Sequence, residues 1–418
     1  MKTHHQILVI GGGTAGIMTA AQLLKKDPSL DVGIVEPADT HYYQPAWTLV
    51  GAGTYDFDKT AKPMKGLIPA NAHWIKDKVI SFQADQNRIT TENSGSISYD
   101  YLVVAPGLVM APEMIEGLKE AMDSGVVCSN YTDPKHVWHQ LKNFKGGTAL
   151  FTQPNTPIKC GGAPQKIMYL AADYLRKHGL ASKSHVVFAT PGSVIFGVQV
   201  VKETLMQVIK RYRVDFKPLH NPVKIDGVKK VAYFQFMGDE SQKSALTTQT
   251  PGSYMEGDLL AIPFDFMHTA PPQTAPAFVK SSDLVNAGGW LDVNINSMQH
   301  NKYPNIFGLG DVAALPTAKT GAAIRKQVPI VVDNITRLIK QETVMNATYT
   351  GYSSCPLVTG YGKMVLAEFD YQNNFTPDPK LKQMLVFNSA KEHWRLWMLK
   401  KYMLPYLYWH KMMKGEKV

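Results

Sequence analysis

Cysteine is scarce: Cys128, Cys160 and Cys355 are the three in 418 residues. Three thiols cannot hold together a secreted disulfide scaffold, and no C-x-x-C or Cys/His cluster has zinc spacing, so no metal is expected. No run of about 18 uninterrupted apolar residues exists, and no transmembrane helix is expected. Met1-Lys-Thr-His-His-Gln6 leads directly into apolar Ile7–Ile10, without the longer apolar core and small-residue cleavage site of a signal peptide. The expected compartment is therefore reducing, where thiols stay free unless they do chemistry. Composition is 44% apolar and 19% charged, which excludes a disordered, collagenous or coiled-coil chain. The length implies two or three domains.

Acidic residues are outnumbered, 34 against 44 basic, for a net charge of +10. Basic chains seek phosphate in nucleic acid, lipid or a phosphorylated ligand. Half of the excess lies in residues 391–418, where seven basic residues (Lys391, Arg395, Lys400, Lys401, Lys411, Lys414, Lys417) face Glu392 and Glu416. The same stretch holds Trp394, Trp397, Tyr402, Tyr406, Tyr408 and Trp409.

The N-terminal third carries a complete dinucleotide fingerprint. Ile7–Ile10 reads as a buried strand, Gly11-Gly-Gly-Thr-Ala-Gly16 as a turn, and Ile17–Lys26 as a helix. Val32–Val35 reads as a second strand ending at Glu36. Gly11 permits the tight turn, Gly13 lets backbone approach a pyrophosphate, and Gly16 lets the helix pack closely on the sheet. The helix N-terminus faces the phosphates, and Glu36 accepts from ribose hydroxyls. Two further segments choose FAD: Tyr99–Gly107, a strand ending in a small-residue turn, and Tyr303–Asp311, a strand ending in Gly-x-Gly-Asp. The latter is similar to the distal FAD signature of flavoproteins, with Asp311 on the ribityl chain. The helix opening near Gly321 points its positive end at the flavin, with Lys319 at the same pole.

A second fingerprint is missing. His185–Gly197 stands where two-dinucleotide flavoproteins carry another nucleotide turn, but its sequence is Thr190-Pro-Gly-Ser-Val-Ile-Phe196. Pro191, Val194, Ile195 and Phe196 crowd the space a pyrophosphate needs. The expectation is a second α/β unit without NAD(P)H, its electrons coming from another donor. Predicted boundaries are 1–110 with 288–345 for FAD, 111–287 for the second unit (Pro263–Pro276 being the returning connection), and 346–418 for a C-terminal region.

Cys160 lies in Pro157–Lys166, just ahead of a helix starting near Pro164, with Lys159 beside it; both features favour thiolate. Gly161 and Gly162 leave the sulfur unshielded. Cys355 sits in another turn, before Pro356. An isolated cysteine is usually an inert small hydrophobe, and for Cys128, after an apolar stretch, burial and a role weigh equally. Dithiol reductases of the glutathione-reductase type place a C-x₄-C soon after the first fingerprint. Residues 37–60 hold no cysteine, so that type is excluded as a functional model while its fold is retained.

Several strings together are similar to the sulfide:quinone oxidoreductases, the mitochondrial type in particular. They are Ile34–Pro37, His41-Tyr-Tyr-Gln-Pro-Ala-Trp-Thr-Leu-Val-Gly-Ala-Gly53, Pro154–Leu170, Gly308–Asp311, Leu315–Thr320, Gly351–Tyr361 and Leu366–Tyr371. The resemblance spans nearly the whole chain. It implies an α/β fold with two Rossmann-type three-layer domains, glutathione-reductase-like, and a C-terminal membrane-associating region. It implies FAD held by Gly11, Gly13, Thr14, Ala15, Gly16, Glu36, Gln44, Val79, Gly107, Asp311, Lys319 and Gly321. It makes Cys160 and Cys355 a redox disulfide, while Cys128 matches a third cysteine of the bacterial branch.

The chemistry so implied starts with hydrosulfide attacking the disulfide to give a persulfide and a thiolate. The thiolate meets the flavin, and two electrons reach FAD and then ubiquinone. The persulfide sulfur goes to sulfide, sulfite or a small thiol. Cys160 is assigned the flavin side and Cys355 the persulfide. Ubiquinone lives in the bilayer, so residues 391–412 read as amphipathic helices broken near Pro405. Trp394, Trp397, Met398 and Lys401 fall on one anchoring face, and a terminal cap on the core is the competing reading. The expected site of action is the cytoplasmic face of a bacterial inner membrane. Nucleic acid is not expected, and a homo-oligomer is allowed. The rivals are a single-subunit NADH:quinone oxidoreductase, a sulfide dehydrogenase serving cytochrome c, and a non-catalytic flavin scaffold.

Overall fold

The computed structural model describes residues 2–239, 242, 250–344 and 349–416; Lys417 and the expected boundary at 345 lie outside them. The apolar run after Gln6 continues the strand His4–Ile10, which pairs in parallel with Val32–Val35 on one side and Gly95–Val104 on the other. Ala72–Ile75 and Ile306–Gly308 extend the parallel part, and Val79–Gln83 with Arg88–Thr91 close one edge antiparallel. Ile7, Leu8 and Val9 are fully buried on both faces, which is why the strand is a continuous apolar run rather than an alternating one. Helices Thr14–Lys26 and Gly321–Ile339 pack together on one face.

A second sheet of five parallel strands runs in the order Val127–Cys128, Phe266–Thr269, Gly147–Thr152, Ser184–Ala189, Asp215–Lys217. Helices Ala163–Lys177 and Gln199–Tyr212 cover one face. The antiparallel sheet of His220–Asp226, Val231–Phe236, Leu259–Pro263 and Tyr254–Glu256 covers the other through Ile225, Phe234 and Ile262. The sequence reading of 263–276 as a plain connection needs correcting. Phe266–Thr269 is a fully buried strand inside this sheet, and its four residues lie between prolines that made the segment read as a loop.

The turn expected to exclude a nucleotide is filled. Ile195 is buried in the core and its carbonyl accepts from Gln165 Nε2 at 2.8 Å, while the Phe196 ring stands edge-on to Phe369. Val194 takes no part, since its side chain points to solvent.

The C-terminal region begins with the hairpin Ser353–Gly360/Lys363–Phe369, which packs on helix Ala163–Lys177. The tail is not broken at Pro405. Trp394–Met398, a π turn at Leu399–Met403 and Leu404–His410 form one unbroken helical run. A proline lacks the N–H and collides with the carbonyl four residues back, and the widened π turn absorbs both defects. Trp397 faces inward, near the Tyr361 ring, so it leaves the expected anchoring face. Trp409, Met412 and Met413 close over helix Thr14–Lys26. Among the described residues no helix is long and apolar enough to cross a membrane.

Two glycines make the first turn possible. Gly11 has φ +100°, and a side chain there would meet the Ala105 carbonyl oxygen at 2.5 Å; at Gly16 it would fall on the Gly11 carbonyl. Gly16→Ala should therefore lower stability by about 1–3 kcal/mol and cost the purified protein its yellow colour. A melting curve and visible spectrum matching wild type would refute the close-packing argument.

Candidate active site

The first α/β unit, the helix Ala163–Lys177 and the tail enclose one cavity of ≈ 830 Å³. Gly13, Thr14, Ala15, Glu36, Gln44, Gly107, Asp311, Lys319 and Gly321 line it, as does Cys160. Gly11 and Gly16 lie behind, shaping the turn rather than touching the cavity. Val79 is the exception among the expected contacts. It is buried in the core under the edge strand Val79–Gln83 and does not reach the cavity.

The lining fits FAD on its own geometry. Helix Thr14–Lys26 starts at Gly13 without a side-chain cap, leaving N–H groups for a pyrophosphate. Side chains added at Gly13, Gly107 or Gly321 would meet nothing within 4 Å: these positions border open space. Glu36 is oriented by the amides of Gly12 and Ala38, each 2.7 Å from a carboxylate oxygen. Burial raises the Asp311 pKa against the opposing pull of Lys159 and Lys319. Lys319, lowered to about 8 by burial, donates to the Ala313 carbonyl at 2.9 Å just before the helix Gly321–Ile339. Thr320 caps that helix by accepting from the Ala323 amide.

Cys160 and Cys355 meet at the base of the cavity. Cys160 takes a left-handed conformation, φ 50°, and its amide donates to the Lys319 carbonyl at 2.8 Å. Cys355 comes from the hairpin and is buried. The glycine after the redox turn makes room for it: a side chain at Gly162 would meet Cys355 Sγ at 2.5 Å. The two are not disulfide-bonded here, and Cys355 donates to Cys160. That hydrogen bond, with Lys166 Nζ at 3.0 Å, outweighs burial and holds Cys160 well below the usual thiol range. The same bond, then burial, pushes Cys355 well above it. The pair is thus a thiolate at the cavity and a thiol behind it.

The cation beside the thiolate is not the one adjacent in sequence. Lys159 turns away to Gln44 Oε1, whereas Lys166, one turn into the helix, reaches back because Cys160 curls in front of the helix end. Burial opposes its charge, but the two sulfurs hold its proton on, above the usual lysine range. A second lysine, Lys400 of the tail, donates to the Pro45 carbonyl at 2.7 Å and is brought down to about 7 by burial and by Lys166. Sequence reading missed both as site residues. Lys400 in particular had been counted as surface charge, though its neighbours Leu399 and Leu404 mark an apolar face. Tyr408 is a third contribution of the tail, hydrogen bonded to Thr14 Oγ1 at 2.7 Å and His41 Nε2 at 2.5 Å. Cys128 has no place here. It is buried in the core, donates to the Met267 carbonyl at 3.3 Å, and burial raises its pKa.

Removing the Lys166 charge should disfavour the thiolate, so the Cys160 titration moves up in pH. In Lys166→Met, alkylation of Cys160 by iodoacetamide at pH 7 should slow about tenfold, read by mass spectrometry of the Cys160 peptide. An unchanged rate–pH curve would show that Lys166 does not set the thiolate.

Residues 5–333 match the pyridine nucleotide-disulphide oxidoreductase family. The chain is 38% identical to the mitochondrial sulfide:quinone oxidoreductase of Mus musculus over 99% of this chain and 87% of the relative. It is 39% identical to that of Dictyostelium discoideum over 100% and 87%. The fold is similar to the structure of the sulfide:quinone oxidoreductase from Aquifex aeolicus, with a TM-score of 0.77 and 22% identity over 100% of this chain and 92% of that one. The chain therefore belongs to the FAD-dependent pyridine nucleotide-disulphide oxidoreductases and, among them, to the sulfide:quinone oxidoreductases.

Proposed function

We propose that this enzyme oxidises hydrogen sulfide at the Cys160–Cys355 pair and delivers two electrons to ubiquinone. The observation that carries this reading is the meeting of the two sulfurs at the floor of a dinucleotide cavity. Oxidised, the pair is a disulfide. Hydrosulfide forms a bond to Cys355 Sγ as the S–S bond breaks and its electron pair goes to Cys160. A disulfide cleaves faster when the departing sulfur has the lower pKa, and Lys166 gives Cys160 that property. This supports Cys355 as the persulfide bearer and Cys160 as the flavin-side thiolate. No separate base is required, because hydrosulfide is already ionised near neutral pH. Bound FAD, held by the residues above, supplies the two-electron link between dithiol and quinone. The persulfide sulfur passes to a second thiolate-like acceptor (sulfide, sulfite or a small thiol), with Lys166 and Lys400 offsetting its negative charge.

The alternative, a nicotinamide donor, is disfavoured by Ile195 and Phe196 filling the second nucleotide turn. For the quinone, Leu381, Met384, Leu399 and Leu404 give the same cavity an apolar wall.

The tail supports peripheral membrane attachment. Phe387 is 77% exposed, Trp394 58%, Tyr402 57% and Tyr406 56%, beside basic Lys391, Lys411 and Lys414. Aromatic and basic groups on one face suit a lipid interface. The relatives named above from Mus musculus and Dictyostelium discoideum are mitochondrial, and the expected bacterial cytoplasmic face is not carried further.

Anaerobic addition of sulfide should bleach the flavin of wild type, and decylubiquinone should restore its colour. Cys160→Ser and Cys355→Ser should each abolish bleaching. Bleaching by NADH but not by sulfide would overturn the reading. Replacing Phe387, Trp394, Tyr402 and Tyr406 with serine should weaken co-sedimentation with anionic vesicles at least about tenfold, since each buried aromatic contributes on the order of 1.5–3 kcal/mol. Undiminished binding would refute the anchoring face.

A further inference from the structure

Into the apolar wall of the cavity is set a connected polar chain that the sulfur chemistry does not use. Arg325, one turn into the helix Gly321–Ile339, donates through Nη2 to the Tyr352 hydroxyl at 2.7 Å. Tyr352 donates to Glu368 Oε1 at 2.5 Å, and Glu368 Oε2 accepts from the Asp378 amide at 2.9 Å. Arg325, Tyr352, Glu368 and Asp378 all line the cavity. Glu368 is 2% exposed, placed opposite Ser354 in the hairpin and among Pro356, Leu366 and Leu381. Both oxygens of this buried carboxyl group are hydrogen-bonded within the wall, and the hairpin register alone would tolerate an apolar residue there. Burial keeps the phenol proton on Tyr352.

Resting on the quinone reading above, we infer that Tyr352 and Glu368 form the proton relay to the reduced quinone ring. A quinone gains two protons with its two electrons, and a water-excluding apolar wall cannot supply them from bulk solvent. The electron pair comes from sulfide by way of the bound cofactor, which would bring one of the two protons with it, and the relay supplies the other. A ring oxygen carrying that charge forms an O–H bond as the Tyr352 O–H breaks. Glu368 takes a proton from water at the rim, where Asp378 and exposed Lys380 stand, and hands it to the Tyr352 oxygen, which restores the phenol and the carboxylate. Arg325 stabilises the transient negative charge on the Tyr352 oxygen.

The test uses holoenzyme carrying Tyr352→Phe or the isosteric Glu368→Gln. Each protein is reduced anaerobically, then reoxidised either by decylubiquinone or by ferricyanide, which takes electrons without protons. Decylubiquinone affinity is read separately from quenching of tryptophan fluorescence. The expected result is reoxidation by decylubiquinone slowed about a hundredfold, with ferricyanide reoxidation and decylubiquinone affinity unchanged. Three results would overturn the relay: an unchanged decylubiquinone rate, a loss confined to affinity (an anchor for the ring), or equal slowing with ferricyanide (structural damage). Reduction with dithionite in place of sulfide tests the relay independently of the sulfide donor. Failure of decylubiquinone to reoxidise wild type would remove the quinone reading itself.

Discussion

A charged sulfur and a charged amine, each too costly to bury alone, share the floor of this cavity 3.0 Å apart. Lys166 and Cys160 tolerate burial because each neutralises the other, and the surrounding backbone is arranged to keep them in register. The left-handed turn at Cys160 brings its sulfur in front of the helix from which Lys166 projects. The Cys160 amide is tied to the Lys319 carbonyl, immediately before the helix end that faces the cofactor. The sulfur, the cation and the flavin cradle are thereby fixed by one short network spanning both α/β units. Cys355 then needs only the side-chain-free space above Gly162 to complete the pair.

The C-terminal tail belongs to this network as much as to any membrane. Its inward face brings the Lys400 charge near the sulfur pair while its amine donates to the Pro45 carbonyl, and it supplies Tyr408 to Thr14 and His41 at the first nucleotide turn. Its outward face presents Trp394, Tyr402 and Tyr406. The competing reading of a terminal cap on the core is thus physically true of one side of the same helical run. One helical run thus carries both the contacts to the sulfur site and the exposed aromatic face.

How much was legible follows from the range of the interactions involved. The first fingerprint, the Gly-x-Gly-Asp strand and the helix at Gly321 were readable because each depends on neighbours within a few residues. The blocked second turn was readable for the same reason, although Val194 pointed the other way. The Cys160–Cys355 pairing came from the family resemblance, since nothing local links residues 195 positions apart. Lys166 and Lys400 were missed because a buried lysine carries no sequence mark of its burial. In the tail, composition suggested uniform amphipathicity, but only packing shows Trp397 and Lys400 turned inward. Val79, a contact implied by the resemblance, has its side chain in the core under the sheet edge, outside the cavity lining.

On the proposed function, one cavity serves substrates with opposite solvation preferences. Hydrosulfide is a small anion and needs cations near its path, which Lys166 and Lys400 provide. A quinone ring needs an apolar wall, which Leu381, Met384, Leu399 and Leu404 provide. Mixing the two linings would harm both, because apolar contact raises the energy of the anion and stray charge would hold water where the ring must sit. The chain resolves the conflict by drawing the walls from different elements. The sulfur floor comes from the turn at Cys160, the helix Ala163–Lys177 and the start of the hairpin, and the apolar wall from the short helix Pro379–Met384 and the tail. Lys400 stands at the seam, next to Leu399. Burial, with Lys166 beside it, brings its pKa down to about 7, against the opposing pull of the two sulfurs.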